Sequence, residues 1–298
     1  MYGLNDMTVT SRIFLRFKMR CVKKIVTALA VQVTSFDKKR IMVKKTDNLE
    51  AYDYYLKAKD LCNTIDLGKL EKGRKILIEA IRLDPNFAKA YSAMGKTYFT
   101  QWIFGPDKDQ AILDKVYEWA QKAIEINPEE PSGYSEMAHY YLWTKQHEAG
   151  IEKIKKAIAL DPNNAEWLAT YGELLTYSNN PEQGIDLITK AMRLDPKYPV
   201  WYLYGLGHAY FLTADYDNAI LNLEKAVDQD PGFWPSHFLM AASYDAKGMK
   251  EQFKIAAKKV LKENKNILHE KWEQRLPYKD PVQTKKFVEM LKKIEKYK

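Results

Sequence analysis

The 298-residue sequence predicts an all-α solenoid made of stacked helical hairpins. Two observations carry this reading. First, five phrases line up along the chain: AIRLDPN at 80–86, AIEINPE at 123–129, AIALDPN at 157–163, AMRLDPK at 191–197 and AVDQDPG at 226–232. Their prolines, Pro85, Pro128, Pro162, Pro196 and Pro231, are spaced 43, 34, 34 and 35 residues apart, and self-similarity at such a period marks a repeat architecture. Second, with each proline taken as position 32, small residues recur. Ala80, Ala123, Ala157, Ala191 and Ala226 fill position 27, and Gly95, Ala138, Gly172 and Gly207 fill position 8. Antiparallel helices cross closely only where small residues sit at the contact. The larger Tyr98, Tyr141, Leu175 and Tyr210 at position 11 fill the space beside it.

The elements follow in order. Residues 1–47 form a basic N-terminal segment with one helix, in MRCVKKIVTALAVQV at 19–33. Val22, Val26, Leu29 and Val33 fall on one stripe of that helix. The alternative, a secretory signal, fits poorly because charged residues precede the apolar run. Residues 48–265 hold six hairpin units. In the first five, the residue before proline is pushed out of the helical region, so Asp-Pro, or Asn-Pro in the second, ends the second helix. The first unit is lengthened in CNTIDLGKL and the second within FTQWIFGPDKDQAILDK. Gly105-Pro106-Asp107 is a turn, and the apolar Trp102, Ile103 and Phe104 before it either pack under the loop or meet a partner. The sixth unit keeps Ala241, Tyr244 and Gly248 but has Lys265 at the proline position. Residues 266–298 then cap the array, since stacked repeats end in an apolar face that needs a cover. Asp280 before Pro281 suits a helix N-cap with proline at N1. Phe287, Leu291 and Ile294 supply the covering stripe, with Trp272, Leu276 and Tyr278 expected beneath it.

The charge is uneven. Residues 1–50 carry a net +7, residues 249–298 a net +8 and the middle a net −7. Basic ends allow contact with nucleic acid or anionic lipid, but the C-terminal lysines alternate with glutamate and apolar residues, which reads as a solvated helix face. Cys21 and Cys62, far apart and outside any CxxC pair, argue against a disulfide framework and a zinc site and fit a reducing, cytoplasmic setting. Gly95-Lys96-Thr97 resembles the tail of a phosphate-binding loop, yet residue 90 is Ala where that loop needs Gly. The five histidines, His139, His147, His208, His237 and His269, show no i, i+3 or i, i+4 pair. No catalytic constellation, cofactor site or metal site is expected.

The period and the small and aromatic positions together resemble the tetratricopeptide repeat (TPR). The resemblance implies a right-handed superhelix in which the first helix of each unit lines a concave face. Its inward positions give Lys96, His139, Trp143, Glu173, Tyr177, Trp201, Tyr204, His208 and Phe238 as candidate partner-binding residues. Trp102 and Phe104 join them as candidate loop contacts. For Trp143, Trp201, Tyr204 and Phe238, packing within the array is the standing alternative. TPR proteins that clamp a chaperone's C-terminal carboxylate use Lys, Asn and Arg. Ser92, Lys96, Ser135 and His139 stand at the corresponding positions, so that ligand is not expected.

The flanks add a narrower resemblance. KKIVTALAVQVTSFDKKRI and KKTDNLEAYDYYLKAKDL, within 23–61, resemble the junction after a TolB-like α/β domain in bacterial multidomain proteins that also carry class III adenylate/guanylate cyclase or DNA-binding domains. RLPYKDPVQTKKFVEMLKKI at 275–294 resembles the tail of the same arrays. Residues 1–22 depart from that pattern, being basic, and the expectation is a chain shortened from a longer protein. The cyclase motifs are absent from the sequence, and no cyclase activity is expected. The expected function is a non-catalytic scaffold that binds another protein or peptide segment through its concave face. The alternative is a regulatory portion working with a separate catalytic partner of the cyclase type. A weaker alternative is a basic-ended adaptor at nucleic acid or membrane surfaces.

Overall fold

The computed structural model describes residues 46–62, 64–105, 109–269 and 271–298. The helix expected around 19–33, Cys21, and Pro106 and Asp107 of the expected turn lie outside the described residues. Twelve helices pair in sequence as six hairpins: α1 (Leu49–Cys62) with α2 (Leu67–Leu83), α3 (Ala88–Phe104) with α4 (Gln110–Ile126), α5 (Ser132–Trp143) with α6 (His147–Leu160), α7 (Ala165–Tyr177) with α8 (Pro181–Leu194), α9 (Val200–Leu212) with α10 (Tyr216–Gln229), and α11 (Trp234–Ala246) with α12 (Lys250–Glu263). A 3-10 turn, Ile267–His269, the short α13 (Trp272–Arg275) and α14 (Pro281–Glu295) complete the chain. No strand occurs among the described residues.

The hairpins are tight because small residues meet at their crossings, and at the α7–α8 crossing there is no room for a side chain at all. A Cβ on Gly172 of α7 would stand 2.9 Å from the Gly184 carbonyl oxygen of α8, and one on Gly184 would stand 2.8 Å from the Gly172 oxygen. The alanines of the repeated phrase, Ala80, Ala123, Ala157, Ala191 and Ala226, are all buried. Between hairpins the cores are mixed aliphatic and aromatic. Ala138, Leu142, Ile154, Trp167 and Leu174 join the third unit to the fourth, and Leu168, Ile188, Tyr202 and Leu206 join the fourth to the fifth.

The turns repeat as closely as the helices. At the end of α2, α4, α8 and α10 the residue before proline is extended (Asp84, Asn127, Asp195, Asp230), and its N–H donates to the small residue four back. Its side chain Oδ1 accepts from the N–H two residues on, at 3.0–3.1 Å. This Asx turn closes the loop with or without proline. The sixth unit shows the point. Asn264, with φ −127° and ψ 88°, donates to the Val260 carbonyl and accepts from Asn266 N at 3.1 Å, with Lys265 in place of the proline. Within the hairpins, Lys145, Asn179, Ala214 and Gly248 each adopt a left-handed backbone, with φ of 60°, 69°, 60° and 72°. The following N–H reaches back five residues, as in Gln146 N to Tyr141 O and Asp215 N to Tyr210 O, which is the Schellman end of a helix.

The insertion of the second unit lengthens its helices to 17 residues each, against 12 to 14 in the four hairpins that follow. Trp102 therefore lies inside the array, only 3 % exposed, on Leu113 and Val116 and edge-on to Trp143. It is a packing residue and not a partner contact. Phe104 reaches Phe233 at the start of the sixth unit, with ring centroids 5.8 Å apart. At the far end α14 covers the last hairpin, with Ile294 fully buried and Phe287 stacked 4.1 Å from Phe238. Asp280 caps α14 by accepting from Val282 N at 2.9 Å.

The left-handed turn residues give a direct test. A Cβ-bearing residue there carries roughly 1–2 kcal/mol of strain that glycine relieves, less the entropy glycine loses on folding. Lys145→Gly and Ala214→Gly are each expected to stabilise the fold by about 0.5–1 kcal/mol, read as a higher denaturant midpoint at unchanged slope.

Candidate functional site

The first helices of the second to sixth hairpins surround a concave cavity of about 920 Å³. Lys96, His139, Trp143, Glu173, Tyr177, Trp201, Tyr204 and Phe238 line it, with Phe104 from the lengthened end of α3. The common placement of the first-helix residues follows from the repeat, because positions 2, 5, 9 and 13 of successive first helices fall on the same side of the stack. The polar end is a charge cluster. Lys96 Nζ lies 2.5 Å from Glu166 Oε1, on the fourth unit's α7. His139 sits between two carboxylates, with Nδ1 3.9 Å from Glu136 and Nε2 3.8 Å from Glu173. Phe99 stacks on the same imidazole at 4.5 Å.

These groups shape one another's ionisation. Glu166 holds the Lys96 ammonium above its ordinary range. Burial pushes Glu166 up, but the charge of Lys96 outweighs it and leaves that carboxyl low. Burial opposes a charged His139, yet Glu173 and Glu136 prevail and raise its pKa. Glu136, 4 % exposed, goes the other way: burial pushes its carboxyl up to about 7. Its importance was hidden in the sequence, because Glu136 falls between the inward positions at 135 and 139. A carboxylate on a surface helix carries no such signal.

The cavity is not an open groove. The segment after α13 folds back across the concave face. Tyr278 packs on Tyr177, with ring centroids 4.9 Å apart, and its hydroxyl lies 2.7 Å from His208 Nε2. Lys279 N donates to Tyr177 O at 2.9 Å, and Lys279 Nζ lies 2.5 Å from Glu148. The Arg275 guanidinium lies over the rings of Trp102 and Trp272, at 4.7 and 4.9 Å. Two expectations are thereby corrected. The closing segment enters the concave face as well as covering the last hairpin. His208, 1 % exposed, is held by Tyr278 and is closed to a partner. Burial drives the His208 pKa down to about 3, so the imidazole is neutral where it shares a hydrogen bond with the Tyr278 hydroxyl. Phe238 is likewise buried under Phe287 and meets the cavity only at its edge, whereas Trp143, Trp201 and Tyr204 are half-buried.

The remaining motifs resolve as structure. Gly95 faces the Val116 carbonyl of α4 in a helical crossing, and Thr97 Oγ1 accepts from Arg74 Nε at 2.8 Å. His147 and His237 bond to Ser178 Oγ and to the Pro231 carbonyl. Cys62 lies over Gly73, and burial pushes its thiol up to about 11. Among the described residues no group of His, Cys, Asp and Glu is arranged to hold a metal ion, and no helix is long and apolar enough to cross a membrane.

Two measurements probe this site. Glu136 has an ordinary value of 4.5 and a raised one in the fold. The unfolded chain therefore ionises first, and stability falls as pH rises from about 4.5 through about 7, then levels off. The isosteric Glu136→Gln removes that loss, so its gain in melting temperature over the parent is expected to be larger at about pH 8 than at about pH 4.5. Tyr278→Phe leaves His208 Nε2 buried without its hydrogen-bond partner, at an expected cost of about 1–3 kcal/mol by chemical denaturation.

Comparison with known proteins agrees with this architecture. The tetratricopeptide repeat family model matches residues 202–233, the fifth hairpin up to the turn after α10. None of the curated proteins matches the sequence. Among solved structures, the Cut9–Hcn1 hetero-tetramer of the APC/C superposes with a TM-score of 0.59 at 15% identity, covering 81% of this chain and 46% of that one. TTC0263, a thermophilic TPR protein of Thermus thermophilus, gives 0.51 at 15% identity, with coverage of 65% and 98%. PilF of Pseudomonas aeruginosa gives 0.50 at 15% identity, with coverage of 73% and 93%. The fold is that of a tetratricopeptide-repeat solenoid, and its fifth hairpin carries the repeat's own sequence signature.

Proposed function

We propose that this chain is a non-catalytic scaffold that binds a segment of another protein in its concave cavity. The observation that carries the reading is the convergence of half-buried aromatics, Trp143, Trp201 and Tyr204, with the Lys96, His139 and Glu173 charges on one concave surface of about 920 Å³. Binding sites of this size use an apolar wall for affinity and a few placed polar groups for orientation. The arm at 275–279 shortens the surface, so the occupant is a short segment and not a long peptide running the length of the superhelix. The similar fold of Cut9, seen in a hetero-tetramer with Hcn1, accords with a role in assembly.

The resemblance of the flanks to TolB-like and cyclase multidomain proteins favours a second, narrower reading. In it, the chain is a bacterial signalling component that acts beside a separate catalytic partner, in the cytoplasm. The basic ends would make a nucleic-acid or membrane adaptor only if binding weakened steeply with salt.

Affinity capture from the native cell tests the first reading. Trp201→Ala is expected to reduce recovery of the bound protein at least tenfold, while the melting temperature stays near that of the parent. Equal recovery with the variant would remove the concave cavity from the proposal. A catalytic chain among the captured proteins would favour the narrower reading.

A further inference from the structure

The last hairpin carries a surface that the concave-face reading leaves unused. α12 turns Phe253, Ala256, Ala257 and Val260 into the array, and all four are buried. Its other side is lysine: Lys250, Lys254, Lys258, Lys259 and Lys262 lie on the helix, Lys247 and Lys265 flank it, and all are exposed. Carboxylates offset few of them. Lys247 is paired with Asp217, and Lys262 Nζ lies 3.7 Å from Glu263. Among the described residues Lys250, Lys254, Lys258, Lys259 and Lys265 make no ion pair. In α2, another lysine-rich second helix, Glu71 pairs with Lys75 and Glu79 with Arg82. Like charges four residues apart, as in Lys250, Lys254 and Lys258, destabilise a helix when nothing neutralises them. Among these lysines stands Ile255, 63 % exposed, more than any other large aliphatic side chain among the described residues. Lys258, Lys259 and Lys262 follow it three, four and seven residues on, the spacing of one helix face. One exposed aliphatic is ordinary by itself. Set among unpaired ammonium groups, it matches a surface that is anionic outside and hydrocarbon within.

We propose that the exposed side of α12 docks the chain on an anionic membrane surface, with its lysines at the lipid headgroups and Ile255 reaching the acyl boundary. Clusters of roughly four to eight basic residues on a helix are attracted to acidic lipid in this way. The contact is peripheral, because the apolar side of α12 is already committed to the array through Phe253 and Val260. Nucleic acid, the other common polyanion, fits this face less well. α12 offers no arginine to fork a phosphate and no exposed aromatic on which a base could stack. The surface is separate from the concave cavity, so the chain can hold a partner segment and a membrane at once.

The test is co-sedimentation of the full chain with vesicles. Partitioning is expected to be at least about tenfold greater onto phosphatidylcholine vesicles containing about 30% phosphatidylserine than onto phosphatidylcholine alone. That preference is expected to fade as salt rises from about 0.1 to about 0.5 M. Replacing both Lys258 and Lys259 by Glu is expected to lower partitioning onto the anionic vesicles at least about tenfold. Ile255→Ser, which leaves the charge unchanged, is expected to lower it about threefold or more. All three side chains are exposed, so the melting temperature is expected to stay near that of the parent. The pair Lys250→Glu and Lys254→Glu serves if the first double variant folds poorly. Equal binding to the two vesicle types overturns the proposal. So does partitioning unchanged in both double variants, which places the binding elsewhere on this basic chain. An Ile255→Ser chain that partitions like the parent, while duplex DNA competes the parent off the vesicles, overturns it in favour of nucleic acid. Trp201→Ala is expected to leave vesicle binding unchanged, so failure of this proposal and failure of the concave-face reading are distinguishable.

Discussion

How closely two helices approach within a hairpin sets the rest of this molecule. At the α7–α8 crossing the backbone of one helix meets the backbone of the other, since a Cβ at either Gly172 or Gly184 would strike the opposite carbonyl. That approach fixes the angle of the hairpin. The turn after it, an extended Asp or Asn whose side chain accepts from the N–H two residues on, fixes the step to the next hairpin. Repeating the same angle and step produces the curved stack, and the curvature brings the first helix of the second unit within reach of the first helix of the fourth. The Lys96–Glu166 pair, 70 residues apart in sequence, is a product of that geometry. The charges of the cavity are therefore a consequence of small residues placed elsewhere.

Much of this was legible in the sequence because the repeat imposes the same requirement at the same place each time. The alanines at 80, 123, 157, 191 and 226 and the prolines five residues beyond them mark the second helices without reference to any partner. Most of the concave residues, Lys96, His139, Trp143, Glu173, Tyr177, Trp201 and Tyr204, could be placed on one surface by register alone. What register could not show is whatever crosses the repeat. His208 has the same position as His139, yet Tyr278 occupies one and carboxylates flank the other. For Trp102 the sequence leaves packing under the loop and contact with a partner both open, and the lengthened α3 carries it inside the array, edge-on to Trp143. Glu136 falls outside the inward positions, and its place beside His139 appears only when the neighbouring helices are in place. Lys265 breaks the proline pattern, but Asn264 holds the turn by its side chain, a role the sequence pattern attributes to proline.

The concave face thus differs from that of an open array in two respects. Its length is cut by the segment around Arg275 and Tyr278, and its two ends differ in chemistry. One end is carboxylate-rich around Glu136 and Glu173, and the other is aromatic around Trp201, Tyr204 and the Trp102–Arg275–Trp272 stack. A surface with that polarity orients whatever it holds, because a ligand's charged group and its apolar body prefer opposite ends.

The closing arm also changes how the chain reaches its native state. A simple repeat array is nearly one-dimensional: each unit touches only its neighbours, folding can start anywhere, and segments can fray independently. The bonds from Lys279 to Tyr177 and Glu148, and from Tyr278 to His208, join the C-terminal segment to the third, fourth and fifth hairpins. Sequence separations of 70 to 131 residues thereby join the long-range contacts of Lys96 with Glu166 and of Phe104 with Phe233, and such non-local closure slows folding. During synthesis the hairpins can stack as they emerge, but the concave surface is completed only once Tyr278 and Lys279 have left the ribosome. The array gains a latch, and with it a cooperativity that a stack of hairpins alone does not have.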